Sequence, residues 1–162
     1  MVNFYKDLRF GEDGEKEIAK FLQSKGLDFK GTSKELYPDK IKYFDLVFQG
    51  KFNEIFVEVK TDKYITDDFD TNNIVFELSY NNTPSGITTT KSDLWVNYFL
   101  NKTVDNIWMI KVDVLRKLIS RLKFERDIQI TSGGDSNCTR LYILPREKYK
   151  EYFKVATYTG GF

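Results

Sequence analysis

The chain has 162 residues, with 25 Lys and Arg against 24 Asp and Glu, a net charge of +1, and 41% hydrophobic residues. That length and composition predict one compact domain with its own core and argue against disorder. There is no histidine and one cysteine, Cys138, which excludes His general bases, Ser-His-Asp triads, HNH-type nucleases, His- or Cys-rich zinc sites and an internal disulfide.

In chain order, residues 11–25 predict a helix, with Ile18, Ala19 and Leu22 at helical spacing and Gly26 as its stop. Residues 42–49 (KYFDLVFQ) and 54–61 (EIFVEVKT) read as strands, and the Gly-Lys-Phe-Asn link between them predicts a hairpin. Residues 73–80 (NIVFELSY) form a third strand, and Pro84 marks a turn. Residues 90–100 predict a helix with Leu94, Trp95, Tyr98 and Phe99 on its apolar side. A buried strand follows at 107–112, then a helix capped by Asp113, with Leu115, Leu118, Ile119 and Leu122 on one face and bases on the other. Residues 131–137 predict a Gly-rich loop and 141–144 a short strand; Pro145 opens a last helix reaching Phe153. The expected fold class is α/β: a single domain with a central mixed β-sheet flanked by helices, in the order αβββαβ.

Charge is unevenly placed. Acids dominate from Asp62 to Glu77 and bases from Lys111 to Arg126. This suits a metal centre beside a polyanion, but taken alone it reads first as two solvated faces of opposite sign. Without histidine, hydrolytic chemistry falls to carboxylates, lysine or tyrosine with a hard cation. The lone thiol and the absence of an apolar leader predict a cytoplasmic protein. No stretch approaches the roughly 20 apolar residues of a membrane helix, so no membrane partner is expected.

Side chains alternate along a strand. Glu58 and Lys60 therefore project together, with Val57 and Val59 turned away. On the preceding strand Phe44, Leu46 and Phe48 share a face and Asp45 takes the other. Antiparallel pairing would set Asp45 beside Glu58. Charges in apolar strands are costly unless they pair or bind a cation. Mg²⁺, with Mn²⁺ as substitute, takes one or two protein carboxylates and keeps waters. Lys60 would then hold the attacking water or offset charge developing on a phosphate. On the first helix Glu15 precedes Ile18 by three residues, which puts it on or beside the packing stripe; a solvated first-turn acid is the equal alternative. Glu12 is a weaker candidate, and Glu17 should face away from the stripe.

Gly14-Glu15 with Ile18, Ala19 and Leu22, then Tyr43-Phe44-Asp45, then Val57-Glu58-Val59-Lys60 resemble the PD-(D/E)XK nuclease superfamily, over roughly the first two-thirds of the chain. Phe44 stands where the family pattern has proline. Asn73 to Glu77, Ser85-Gly86-Ile87, Thr90 to Asp93 with Trp95, and Gly133 to Asn137 are similar to small phage-encoded members. The resemblance implies that Asp45 and Glu58 bind metal, that the Val59 carbonyl joins them, and that Lys60 assists the attacking water.

The remaining candidates carry two readings each. Glu77 is a supporting acid or a paired edge carboxylate. Lys91 can touch phosphate, and Asp93 sits in a first turn. Arg116, Lys117, Arg121 and Lys123, with Arg140 further on, form a DNA-binding face or a solvated one. Trp95 and Trp108 read as core. The expected function is metal-dependent endonuclease cleavage of DNA, with RNA also possible as substrate; a homodimer would suit paired cuts. The alternative is a non-catalytic nucleic-acid-binding or protein-interaction module that retains the fold.

Overall fold

The structure, a computed structural model, describes residues 4–62, 72–100, 105–133 and 137–159. The acids Asp67, Asp68 and Asp70 and the loop residues 134–136 lie outside them.

The first helix, α1 (Phe4–Ser24), begins well before the expected residue 11. It ends as its sequence requires. Gly26, at φ +92°, lets its own N–H donate to the Gln23 carbonyl and the Leu27 N–H to the Leu22 carbonyl, which closes the last turn. Ile18, Ala19, Phe21 and Leu22 are buried. Glu17 is buried too, at 7% exposure, between Lys20 (2.6 Å) and the Tyr158 hydroxyl (3.1 Å). The expectation that it faces away from the sheet is therefore corrected: a late strand covers that flank of the helix.

Six strands form a mixed sheet in the order β1 (Asp28–Thr32), β2 (Leu46–Gln49), β3 (Glu54–Asp62), β6 (Leu94–Phe99), β7 (Asp105–Lys111) and β10 (Lys154–Tyr158). β3 and β6 run parallel and the other neighbours antiparallel. A second sheet has the order β5 (Thr83–Pro84), β4 (Asn73–Tyr80), β9 (Thr139–Pro145) and β8 (Gln129–Gly133). The short helix α2 (Ser33–Leu36) follows β1 and carries a capping box between Thr32 and Glu35. The helix α3 (Val112–Glu125) follows β7. The expected single-domain α/β class with a mixed central sheet holds.

Several local expectations are revised. The segment read as a helix over 90–100 is strand β6, buried on both faces between β3 and β7. Leu-Trp-Val-Asn-Tyr-Phe carries no alternation because neither side meets water, and periodicity cannot separate such a strand from a buried helix. β4 pairs with β5 and β9 rather than β3, so the link between parallel β3 and β6 runs through the second sheet. Residues 131–133 belong to β8, not to a loop. Pro145 closes β9, and the tail turn Glu147–Tyr152 is 3-10. Asp113 lies inside α3 and accepts from the Val114 N–H (2.8 Å), while Lys111 holds the cap position.

The central sheet separates two cores. On one face α1 packs over Leu46, Phe48, Val57, Val59, Val96 and Tyr98. On the other, Trp95, Phe99, Trp108 and Ile110 meet Phe76 and Tyr142 of the second sheet and Leu115, Leu118 and Leu122 of α3. Helix α1 approaches β3 closely at Gly14, where a Cβ would overlap the Thr61 hydroxyl. Gly14→Ala should therefore cost about 1–3 kcal/mol by overpacking. Gly11→Ala, whose Cβ would meet nothing, should gain about 0.5–1 kcal/mol from helix propensity. Urea denaturation of both variants checks this; a gain at both positions would contradict the packing.

Candidate active site

Strand β2 begins at Leu46, opposite Val57. One residue earlier, Asp45 is held by its main chain from both sides. Its N–H donates to the Val57 carbonyl (2.9 Å), and its carbonyl accepts from the Ser33 N–H (2.7 Å). Its carboxylate Oδ2 then accepts from the Val59 N–H (2.7 Å). A side chain thus replaces the rung that β2 would supply if it began earlier. In a regular strand the N–H and C=O of one residue point to the same edge. The Val59 carbonyl therefore opens on the edge that Asp45 occupies.

Phe44 does not share the Leu46–Phe48 face as strand alternation implied. It packs on Phe56 (4.4 Å between ring centres) and Tyr37 (5.8 Å). The chain is still turning at that point, so the period of two has not started.

Glu58 lies opposite Trp95 in the parallel β3–β6 pairing and is 7% exposed. Its Oε1 meets Lys60 Nζ at 2.6 Å. Its Oε2 lies 3.2 Å from the Thr90 hydroxyl, which also lies 2.9 Å from the Tyr43 carbonyl. The Lys60 ammonium sits 5.7 Å from the Trp95 ring centre. Burial works against the charge on Lys60, but Glu58 and Asp45 outweigh it and hold its pKa above the usual lysine value. A lysine held charged donates hydrogen bonds and offsets negative charge; it does not accept a proton.

Asp45 experiences the opposite balance. Burial first, then the Glu58 carboxylate, push its pKa up to about 7, against the opposing pull of Lys60 and the Val59 N–H. Glu15 is raised as well, chiefly by burial, and its charge is felt at Asp45. The three acids thus feel one another's charge, with Lys60 as a cation among them. Asp45 and Lys60 each keep a solvent-accessible side, which leaves a way in for a small cation or a phosphate.

Lys34, which the sequence did not single out, completes the surroundings together with Glu12 and Thr90. Lys34 pairs with Glu12 (2.6 Å), and its charge also reaches Glu15 and Asp45. The Glu12 carboxyl is held below its usual range by that hydrogen bond. Glu12, Glu15 and Lys34 line a cleft of about 500 Å³ between α1, β1 and α2. Thr90 enters from a loop whose path no local pattern reveals. Asp93, expected in a helical first turn, instead extends the parallel ladder: its N–H donates to the Phe56 carbonyl and its carboxylate accepts from the Phe56 N–H, both at 2.8 Å.

The remaining predicted residues divide. Glu77 on β4 is near enough for its charge to reach Lys60. The Lys91 ammonium lies 4.2 Å from the Tyr43 ring centre. Arg116 spends its guanidinium on the loop carbonyls of Ile87 (3.2 Å) and Thr90 (2.6 Å), so it braces the segment that carries Thr90. Arg121 meets the Tyr152 hydroxyl (2.9 Å). Lys117 and Lys123 are exposed on α3, and Arg140 is exposed on β9. The structure does not bring these four to the Asp45–Glu58 cluster.

Whether the cluster suits a divalent cation can be judged from its donors. They are oxygens without His or Cys, they lie partly buried, and burial with the Glu58 charge pushes the Asp45 pKa up to about 7. Among the described residues no three acids form a ready-made cage. Two carboxylates and a carbonyl, completed by water, match the habit of Mg²⁺. Comparison of the chain with protein-family models, curated proteins and solved structures gave no match.

Proposed function

We propose that this protein is a Mg²⁺-dependent endonuclease that hydrolyses phosphodiester bonds in DNA. The supporting observation is the joining of Asp45 to the Val59 N–H at 2.7 Å beside the Glu58–Lys60 pair at 2.6 Å. Asp45, Glu58 and the Val59 carbonyl would hold the cation. Bound there, a divalent cation neutralises phosphate charge and lowers the pKa of a coordinated water.

The chain's own groups supply the rest. Lys60, fixed in its charged form, directs its ammonium at negative charge growing on the phosphate. Glu15, whose pKa burial raises, would support the site from its rim. Thr90 keeps Glu58 in place from behind. No histidine is required.

The test is a panel of end-labelled linear duplex, nicked, branched, single-stranded DNA and RNA substrates, each with Mg²⁺, Mn²⁺ or EDTA. The expected result is cation-dependent cleavage of at least one DNA substrate, abolished by EDTA. Binding without cleavage under every condition would sink the proposal and leave a non-catalytic nucleic-acid-binding module.

A further inference from the structure

Tyr43 differs from its aromatic neighbours. Tyr37, Phe44 and Phe56 pack on one another, with ring centres 4.4–6.1 Å apart. Among the described residues Tyr43 has no ring partner. It is partly exposed, and its ring meets the ammonium groups of Lys42 (5.0 Å) and Lys91 (4.2 Å). Both lysines are exposed, and among the described residues neither has a carboxylate partner.

The main chain beneath this ring is fixed. The Tyr43 carbonyl accepts from the Lys91 N–H (3.0 Å) and lies within 2.9 Å of the Thr90 hydroxyl and 3.3 Å of the Ser92 hydroxyl. That same Thr90 hydroxyl lies 3.2 Å from Glu58. Tyr43 is also two residues from Asp45, so their Cα atoms lie within about 7 Å of one another. The main chain that carries the ring therefore has a set position beside the acid cluster. One step earlier in the chain, Lys40 repeats the arrangement over Tyr37 at 5.1 Å, which extends a track of cations along the turn.

We propose that Tyr43 is a stacking platform for an unpaired base, with Lys42 and Lys91 as contacts for the adjoining phosphates. The nucleic acid entering the Asp45–Glu58–Lys60 cluster is then single-stranded at that point. This rests on the nuclease reading for the fate of the strand, and on the geometry alone for its binding. Base–aromatic stacking is tolerant of sequence because every base has a π-face. A base inside a duplex is already stacked on both sides and has no free face to offer. A partly exposed ring flanked by ammonium groups thus favours unpaired ends, flaps and bubbles over continuous duplex.

The experiment measures binding by fluorescence anisotropy in EDTA, where no cleavage can occur. The probes are a short oligothymidine, an oligouridine of equal length and a blunt duplex. Tyr43→Leu keeps an apolar side chain and the backbone hydrogen bonds but has no π-face; Tyr43→Phe keeps the face. Tyr43→Leu should weaken binding of the tighter single strand by about 5–100-fold, and Tyr43→Phe by less than about twofold. The double variant Lys42→Gln/Lys91→Gln should lower the slope of log K against log salt by about 1–1.5. Melting curves establish that each variant is folded.

Single-strand binding unchanged in Tyr43→Leu, an equal loss on the blunt duplex, or no binding of any probe by the native protein would each overturn the platform. Failure of the nuclease reading is distinguishable. Cation-dependent cleavage without a Tyr43→Leu binding defect removes the platform alone. Stacking-dependent binding with no cleavage in any cation removes the nuclease alone.

Discussion

Lys60→Ala is expected to reduce cleavage by about 10²–10³-fold, the effect of removing one charged donor from a developing oxyanion. The same substitution leaves Glu58 without its 2.6 Å partner in a site where its side chain is 9% exposed. Breaking such a pair from one side costs stability because the remaining charge is stranded. A loss of activity could therefore reflect unfolding, and a second measurement separates the two. If Glu58 faces a cation site, Mn²⁺ replaces the missing ammonium. Lys60→Ala should then gain more in melting temperature from Mn²⁺ than the native protein does, while still failing to cleave. Native-level cleavage in the folded variant would remove Lys60 from the chemistry. A variant that Mn²⁺ does not stabilise would argue against cation binding at Glu58.

The second large effect concerns Asp45 and pH. In the folded protein its carboxyl keeps its proton up to about 7, because burial and Glu58 oppose ionisation; an unfolded aspartate loses it near pH 3.9. Between those values the folded state binds more protons than the unfolded one. Cation-free stability should therefore fall as pH rises from about 4 to about 7, by at most about 4 kcal/mol and by less because Asp45 keeps a solvent-facing side. Glu15, raised in the same direction by burial, adds to the decline. Asp45→Asn has no charge to place there, and its amide oxygen can still accept from Val59. In EDTA it should come close to the native protein near pH 4 and melt several degrees higher at pH 8, since 1 kcal/mol is worth roughly 2–4 °C at this size. Mn²⁺ at pH 8 should raise the native melting temperature and leave that of the variant nearly unchanged. A flat native profile from pH 5 to pH 8 would mean that Asp45 is not crowded by the other acids.

Strand β3 was legible in detail. Glu-Ile-Phe-Val-Glu-Val-Lys-Thr has β-branched alternation, a Gly-containing turn before it, and two charges at positions where an apolar residue would pack better. The α1 terminus at Gly26 and the strand register that sets Leu46 against Val57 followed from equally local signals. Strands β1, β8 and β10 did not. They lie at sheet edges, mix polar with apolar residues, and in β1 are broken by Gly31 at φ +151°. β6 failed for the opposite reason: it is apolar on both sides, so no period survives in its sequence.

The candidate site divides along the same line. Which groups are present was already decided by composition and strand alternation: carboxylates and one lysine, no histidine, with Glu58 and Lys60 on a common face. How they meet was decided by the tertiary structure. β2 begins only at Leu46, so the Asp45 carboxylate caps the Val59 N–H. The 87–90 loop brings Thr90 to Glu58, and α1 and β10 bury Glu17. Alternation is a property of one strand and can be read from one stretch of chain. The meeting of groups 14 to 141 residues apart depends on where each strand ends and on which sheet its neighbour joins, and no single stretch carries that information.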